Sequence, residues 1–312
     1  MNYPICTILG GGGFIGRYLV KKMADKNYQC IIPTRNAYLK SYLKTQATPG
    51  AIEFIDFNFK DFSKIEEAIK NSDIVINLIG ILFENRKQKF THLHSDLPGL
   101  IAKYCSESGV KKFIHVSAIG ANINSKSLYQ RSKFNGEQKA LNNFKNTIII
   151  RPSVVCGVED NFTNLFAKLS MFPVIPVVRT NYKFQPILVD DVATAIVKAI
   201  DIKKNEGKIY EIGGPKIISF GDMVQSILNT IGKKRLVIDL PMPLARIQAT
   251  LFSLMPKPLL TRDQCEILNE ANNIVSNNHL TLKDLNIKPN DVEQAMSKWL
   301  WRFRSGGEFA KI

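Results

Sequence analysis

Four things are scarce in this chain of 312 residues. Long hydrophobic runs are missing. No stretch approaches the roughly 18 consecutive apolar residues that a spanning helix needs, which excludes an intrinsic membrane span. Paired cysteines are missing too. The 5 cysteines are odd in number, no two form a CxxC, and most sit among apolar neighbours, as in Pro4-Ile5-Cys6-Thr7-Ile8. That pattern fits buried free thiols in a reducing compartment rather than a disulfide framework. Acidic side chains are the third shortage: 27 Asp and Glu stand against 42 Lys and Arg, a formal charge of +15. An excess of that size suits a nucleic acid, an anionic membrane surface, an acidic protein partner or solubility alone. Histidine is also rare, with 4 residues, and the His92/His94 pair lacks companions at ligand spacing. It reads as loop, and no metal site is expected.

What remains is globular. Hydrophobic residues make up 45% and charged residues 22%, with no repeat and no low-complexity segment. The first apolar run begins at the fourth residue and leads straight into glycines, so the start of the chain is expected to be folded core rather than a leader. Strand-like segments at Ile5–Leu9, Gln29–Pro33, Ile52–Phe57, Asp73–Ile79, Lys112–Ser117 and Thr147–Ile150 alternate with helical ones, notably Phe14–Lys26, Asp61–Lys70, Pro98–Ser108 and Gln130–Leu141. Two-sided apolar strands alternating with helices predict an α/β fold, a Rossmann-type doubly wound parallel sheet. After about residue 155 prolines punctuate the chain, and a smaller, mostly helical C-terminal lobe is expected. The domain reading is 1–155 for the nucleotide-binding part and 156–312 for the lobe, with parts near 184–212 returning to the first sheet.

Gly10-Gly11-Gly12-Gly13-Phe14-Ile15-Gly16 follows the first strand and opens the first helix. Gly10, Gly13 and Gly16 fit GxxGxxG: a tight turn, backbone close enough to touch a pyrophosphate, and close helix–strand packing. Phe14 and Ile15 start the helix on which the pyrophosphate would rest. The second strand ends Pro33-Thr34-Arg35-Asn36, and no carboxylate lies between residues 26 and 52. An NAD site prefers an acid there for the ribose 2′-OH, whereas a cation suits a 2′-phosphate, so Arg35 favours NADP(H) over NAD(H). Arg17 is either a second cation at the phosphates or ordinary helix surface. Asp56 and Phe57 end the third strand at the expected adenine edge, and Asp61 reads as a helix N-cap. Leu78, Ile79 and Gly80 close the fourth strand against the cofactor.

Ser117 ends the fifth strand, and Tyr129 and Lys133 lie four apart on one helix face. A lysine ammonium beside a phenol is expected to lower its pKa and make Tyr129 an acid/base, with Ser117 on a substrate oxygen and Lys133 also on ribose hydroxyls. Pro152 and Ser153, after the sixth strand, fall on the nicotinamide side.

These motifs together resemble the short-chain dehydrogenase/reductase superfamily in its extended or atypical branch. A narrower resemblance is to the NADPH-binding accessory subunits of respiratory complex I and their bacterial relatives. It is carried by Val75–Glu84, His115–Ala121, Arg151–Val155, Lys183–Ile187, Val189–Ala193, Glu211–Pro215 and Thr261-Arg262-Asp263-Gln264. The resemblance implies a cofactor-holding accessory or assembly component of complex I. It would lie in the bacterial cytoplasm or peripherally on the cytoplasmic face of the inner membrane, or on the matrix side if mitochondrial. The alternative is a free-standing NADP-dependent reductase, epimerase or dehydratase using Tyr129 and Lys133. Partners would be complex I subunits and an anionic membrane. Nucleic acid is not expected, because there is no recognition helix, RNP-type strand or zinc pattern.

Two lobe segments have open readings. Leu240–Pro256 is apolar with a single cation, Arg246, which favours a helix buried in the lobe over a membrane-facing one. Trp299-Leu300-Trp301-Arg302-Phe303-Arg304 is either an anchor on lipid or partner, or a helix end packed back on the lobe.

Overall fold

The computed structural model describes residues 3–57, 63–204 and 206–307. The chain begins β1 (Ile5–Leu9), α1 (Phe14–Asp25), β2 (Gln29–Thr34), a 3-10 segment Tyr38–Gln46, β3 (Ile52–Asp56), α2 (Ser63–Ile69) and β4 (Ile74–Asn77). A π-helical turn, Thr91–Asp96, then runs into α3 (Leu97–Glu107), followed by β5 (Lys112–Val116), α4 (Leu128–Asn143) and β6 (Thr147–Pro152). The second half adds β7 (Val155–Cys156), α5 (Phe162–Leu169), β8 (Val174–Val178), β9 (Lys183–Phe184), β10 (Ile187–Leu188), α6 (Val189–Asp201) and β11 (Ile209–Ile212). Then come β12 (Ile218–Ser219), α7 (Phe220–Thr230), β13 (Leu236–Leu240), α8 (Met242–Phe252) and α9 (Arg262–Asn269). The N-cap expected at Asp61 lies outside the described residues.

The main sheet has 7 parallel strands in the order β11-β6-β5-β4-β1-β2-β3. β11 comes from the second half of the chain and pairs with β6, Ile209 opposite Ile149 through Ile212 opposite Pro152. The strands are apolar because both faces are covered: α1 and α6 pack on one face, and α2, α3 and α4 on the other. α1 buries Gly16, Leu19, Val20 and Met23. It ends at Lys26, and Asn27 takes a left-handed φ of 62° just beyond. The strand order reverses between β1 and β4, so a crevice opens at their carboxyl ends, the place where such sheets bind ligands.

The lobe packs around Phe166, Tyr182, Phe184, Phe220, Met223 and Trp299, and three short ladders stiffen it: β10–β7, β12–β9 and β13–β8. The Trp299 segment packs back on the lobe. Trp299 is buried and donates from Nε1 to Thr163 Oγ1 at 3.1 Å, and Arg304 donates to the Thr230 carbonyl at 3.0 Å. The buried-helix reading of Leu240–Pro256 fails. Only Ala245 and Ala249 of α8 are buried, while Leu244, Ile247 and Leu251 are exposed, as is Leu254 beyond it. α8 seats its small residues against α9 and turns its large ones to solvent. Among the described residues no helix is long and apolar enough to cross a membrane, and the 5 cysteines are all buried free thiols.

Candidate nucleotide site

One cavity of about 1350 Å³ lies over the crevice and extends into the lobe. Gly10, Gly13, Phe14, Ile15, Gly16, Arg35, Phe57, Leu78, Ile79, Gly80, Ser117, Tyr129, Lys133, Pro152 and Ser153 all line it. Asp56 does not. It stands exposed at the end of β3, and Phe57 alone turns inward. Its position one residue earlier on an alternating strand points it the other way.

The glycine loop is shaped by its backbone. Gly10 has φ 81°, a left-handed conformation that favours glycine. At Gly16 a Cβ would stand 2.3 Å from the Gly11 carbonyl oxygen, so any side chain would drive α1 off the loop. α1 has no side-chain cap and no acidic residue in its first turn, which leaves its first N–H groups for an anion. Arg17 does not line the cavity. Its guanidinium pairs with Glu159 at 2.7 Å, and Tyr18 donates to the same carboxylate at 3.1 Å.

Lys40 was not foreseen as a site residue. It lines the cavity, and its side-chain carbons pass across Gly12, 3.0 Å from where a Cβ would stand. With Arg35 it makes the β2 end of the cavity cationic. The lack of carboxylates between residues 26 and 52 was the available signal.

The chemistry-bearing side chains meet around Lys133. Its Nζ donates to the Val116 carbonyl at 3.3 Å and lies 5.9 Å from the Tyr129 ring centre. A Cβ on Gly80 would come 3.4 Å from that Nζ, so glycine there keeps the space beside the amine open. Burial pulls the Lys133 pKa down to about 8, with Glu137 opposing the fall. Tyr129 moves against expectation. Burial, with a smaller push from Asp263, raises its phenol to about 12. Lys133, with its own pKa of about 8, has lost its charge by the pH at which such a phenol titrates, so it does not offset the desolvation. Ser117 Oγ is buried and has no hydrogen-bond partner among the described residues.

His94 corrects the reading of the HxH pair as loop. The pair sits on the π-helical turn, and His94 is buried. Its Nε2 accepts from the Ile81 N–H at 2.9 Å, so the proton rests on Nδ1, which donates to Ser132 Oγ at 3.2 Å. Burial first, then Lys133 and His115, pulls its pKa down to about 2, so the ring is neutral. It stacks on Phe90 and meets Tyr129 edge-on, with ring centres 5.2 Å apart in both cases. His94 thus ties the loop after β4 to the face of α4 that carries Tyr129 and Lys133. Asn77 completes the arrangement: its Oδ1 accepts from the Ile79 N–H at 3.0 Å, and its amide donates to His115 Nδ1 at 3.2 Å.

Asp263 of α9 holds the start of α4. It accepts from Ser127 Oγ at 2.8 Å, from the Leu128 N–H at 2.6 Å and from the Tyr129 N–H at 3.2 Å. A carboxylate at a helix N-terminus stabilises it through the free N–H groups and the helix dipole. Thr261 and Gln264 form a capping box that seats α9. At the far side, Ser153 donates to Asn273 Oδ1 at 2.6 Å and accepts from the Gln185 N–H at 3.2 Å, so its hydroxyl ties lobe to sheet. Asn273, which also lines the cavity, carried no signal in the sequence.

The glycine cradle, the cationic β2 end and the unpartnered Ser117 hydroxyl together fit a nicotinamide dinucleotide. The sequence model of the NAD dependent epimerase/dehydratase family matches residues 6–213. The chain belongs to that family. Within it, the mouse (Mus musculus) protein "NADH dehydrogenase (ubiquinone) 1 alpha subcomplex subunit 9, mitochondrial" is 32% identical over 305 residues, covering 96% of this chain and 81% of that protein. Solved structures share the fold. Gox2253 superposes with a TM-score of 0.72 at 17% identity, covering 95% of this chain and 97% of that one. A UDP-glucose 4-epimerase from Thermotoga maritima, solved with UDP-glucose, gives 0.69 at 16% identity, covering 96% and 98%. The matched stretch, residues 6–213, includes the glycine loop, Tyr129 and Lys133.

Proposed function

We propose that this protein holds NADP(H) as an accessory or assembly component associated with respiratory complex I. The carrying observation is the 32% identity with a complex I subunit along 96% of this chain. The site supports the choice of cofactor: Arg35 and Lys40 both line the β2 end of the cavity, where an acid would favour NAD(H). Gly10, Gly13 and the first turn of α1 would take the pyrophosphate, Phe57 and Ile79 the adenine side, and Lys133 the nicotinamide ribose. The exposed apolar side chains of α8 support a peripheral seat on the cytoplasmic face of the inner membrane, or on the matrix face in a mitochondrion.

A second reading, an active NADP-dependent reductase, epimerase or dehydratase, is favoured by one observation: Ser117 Oγ is buried in the cavity wall without a partner among the described residues. A bound nicotinamide supplies hydride transfer. The chain's own part would be to orient and to deliver a proton. Ser117 donates to a substrate oxygen. Tyr129, kept protonated at neutral pH by a phenol pKa of about 12, is the acid. Lys133 offsets the charge left on the phenolate, and neutral His94 holds the Tyr129 ring in place.

Native mass spectrometry of the protein gently purified from its own cells separates the two. Bound NADPH together with complex I subunits supports the first reading. Free protein with exchangeable cofactor, and turnover lost in Tyr129→Phe, supports the second.

A further inference from the structure

The cavity continues past the space a dinucleotide needs. At about 1350 Å³ it exceeds the roughly 300–1,000 Å³ usual for a ligand pocket. Its chemistry changes along its length. The ionised residues that line it, Arg35, Lys40 and Lys133, all come from the first half of the chain. From Asn161 onward no described lining residue carries a charge. Phe162, Leu165, Phe166, Leu169, Phe220 and Phe252 build this arm. The rings of Phe162, Phe166 and Phe220 lie 5.4–5.6 Å apart and make a stiff apolar wall. Its few polar liners include Asn273, already committed to Ser153.

A nucleotide sugar of the kind held by the epimerase neighbour would bring a pyrophosphate into this arm, and none of the described residues lining it is a cation to meet it. The outer end also differs from a water-facing pocket. Phe172 and Leu259 line the cavity, yet they are 53% and 43% exposed. Phe252 and Gln248 of α8 line the mouth, and the same helix presents Leu244, Ile247 and Leu251 to the outside. An apolar arm therefore opens onto an apolar surface.

We propose that this arm holds the hydrocarbon chain of a neutral long-chain lipid. The chain enters from a lipid surface between Phe172 and α8, with the polar end of the lipid at Ser117 and Tyr129. The inference rests on the proposed nucleotide site only for the direction in which the lipid lies. Each methylene moved from water into such an arm raises affinity about fourfold.

The test uses the full, delipidated protein with radiolabelled hexadecanol, and NADPH binding is followed separately by fluorescence. One hexadecanol is retained per chain, octanol binds far more weakly, and UDP-glucose does not compete. Leu165→Trp fills the arm and weakens hexadecanol binding about tenfold or more, the equivalent of two lost methylenes, while NADPH binding stays unchanged. Phe172→Lys, at an exposed position that does not endanger folding, slows uptake of hexadecanol from phosphatidylcholine vesicles. No retention by protein that still binds NADPH, retention unmoved by Leu165→Trp, uptake not slowed by Phe172→Lys, or displacement by UDP-glucose overturns the proposal. Hexadecanol binding without NADPH binding leaves it standing and removes the nucleotide reading instead.

Discussion

Replacing Lys133 by methionine is expected to make the protein more stable and less able to hold its nucleotide. The amine is 4% exposed, and burial lowers its pKa from 10.5 to about 8. The unfolded chain therefore binds the proton more tightly than the folded one. Keeping the charged amine in the fold costs about 3 kcal/mol at neutral pH. That cost is fully present below pH 8 and fades as the pH rises from there towards 10.5. Methionine removes it, but also removes the hydrogen bond to the Val116 carbonyl, worth about 1 kcal/mol. The net gain is about 2 kcal/mol at pH 7 and close to zero at pH 10. Urea unfolding of both proteins at the two pH values, followed by circular dichroism, measures it. A Lys133→Met protein no more stable than the wild type at pH 7, or a gain that persists undiminished at pH 10, refutes the reasoning. Retained NADPH affinity in this variant would separately remove Lys133 from the ribose.

Asp263→Asn takes the charge from the start of α4. A loss of about 1 kcal/mol in unfolding free energy is expected, and the Tyr129 phenol titrates lower than its present value of about 12, read by phenolate absorbance. Ser117→Ala removes a buried hydroxyl that has no partner among the described residues. Stability is expected to hold or rise by about 1 kcal/mol, while any turnover falls, and calorimetry with a turnover assay shows both. Gly16→Ala places a Cβ 2.3 Å from the Gly11 carbonyl oxygen. It is expected to abolish NADPH binding by equilibrium dialysis even where the protein still folds.

Periodicity made the sheet legible. Ile5–Leu9, Ile74–Asn77 and Thr147–Pro152 are mostly apolar and buried on both faces because helices cover both, the usual setting of a parallel sheet. The glycine loop was legible because a strand and a helix bracket it. What escaped was set by contacts distant in sequence. Asp263 acts on Leu128, 135 residues away, and His94 acts on Ser132 across 38 residues; neither relation leaves a local spacing. The α8 helix was misread because apolarity alone does not say which side it turns to solvent. Two alanines were enough to seat it. The direction of the Tyr129 shift was hidden for a related reason, since burial belongs to the assembled fold while the Tyr–Lys spacing belongs to the helix.

The claim on which the account turns is that the β2 end of the cavity is built for a 2′-phosphate. Affinities of the wild type and of Arg35→Asp for NADPH and NADH test it directly. The wild type is expected to prefer NADPH by about ten- to a hundredfold, the worth of one charge-assisted hydrogen bond of roughly 1.5–3 kcal/mol. The variant is expected to lose or reverse that preference. Equal affinity of the wild type for the two cofactors, or an Arg35→Asp protein that still prefers NADPH as strongly, contradicts the account.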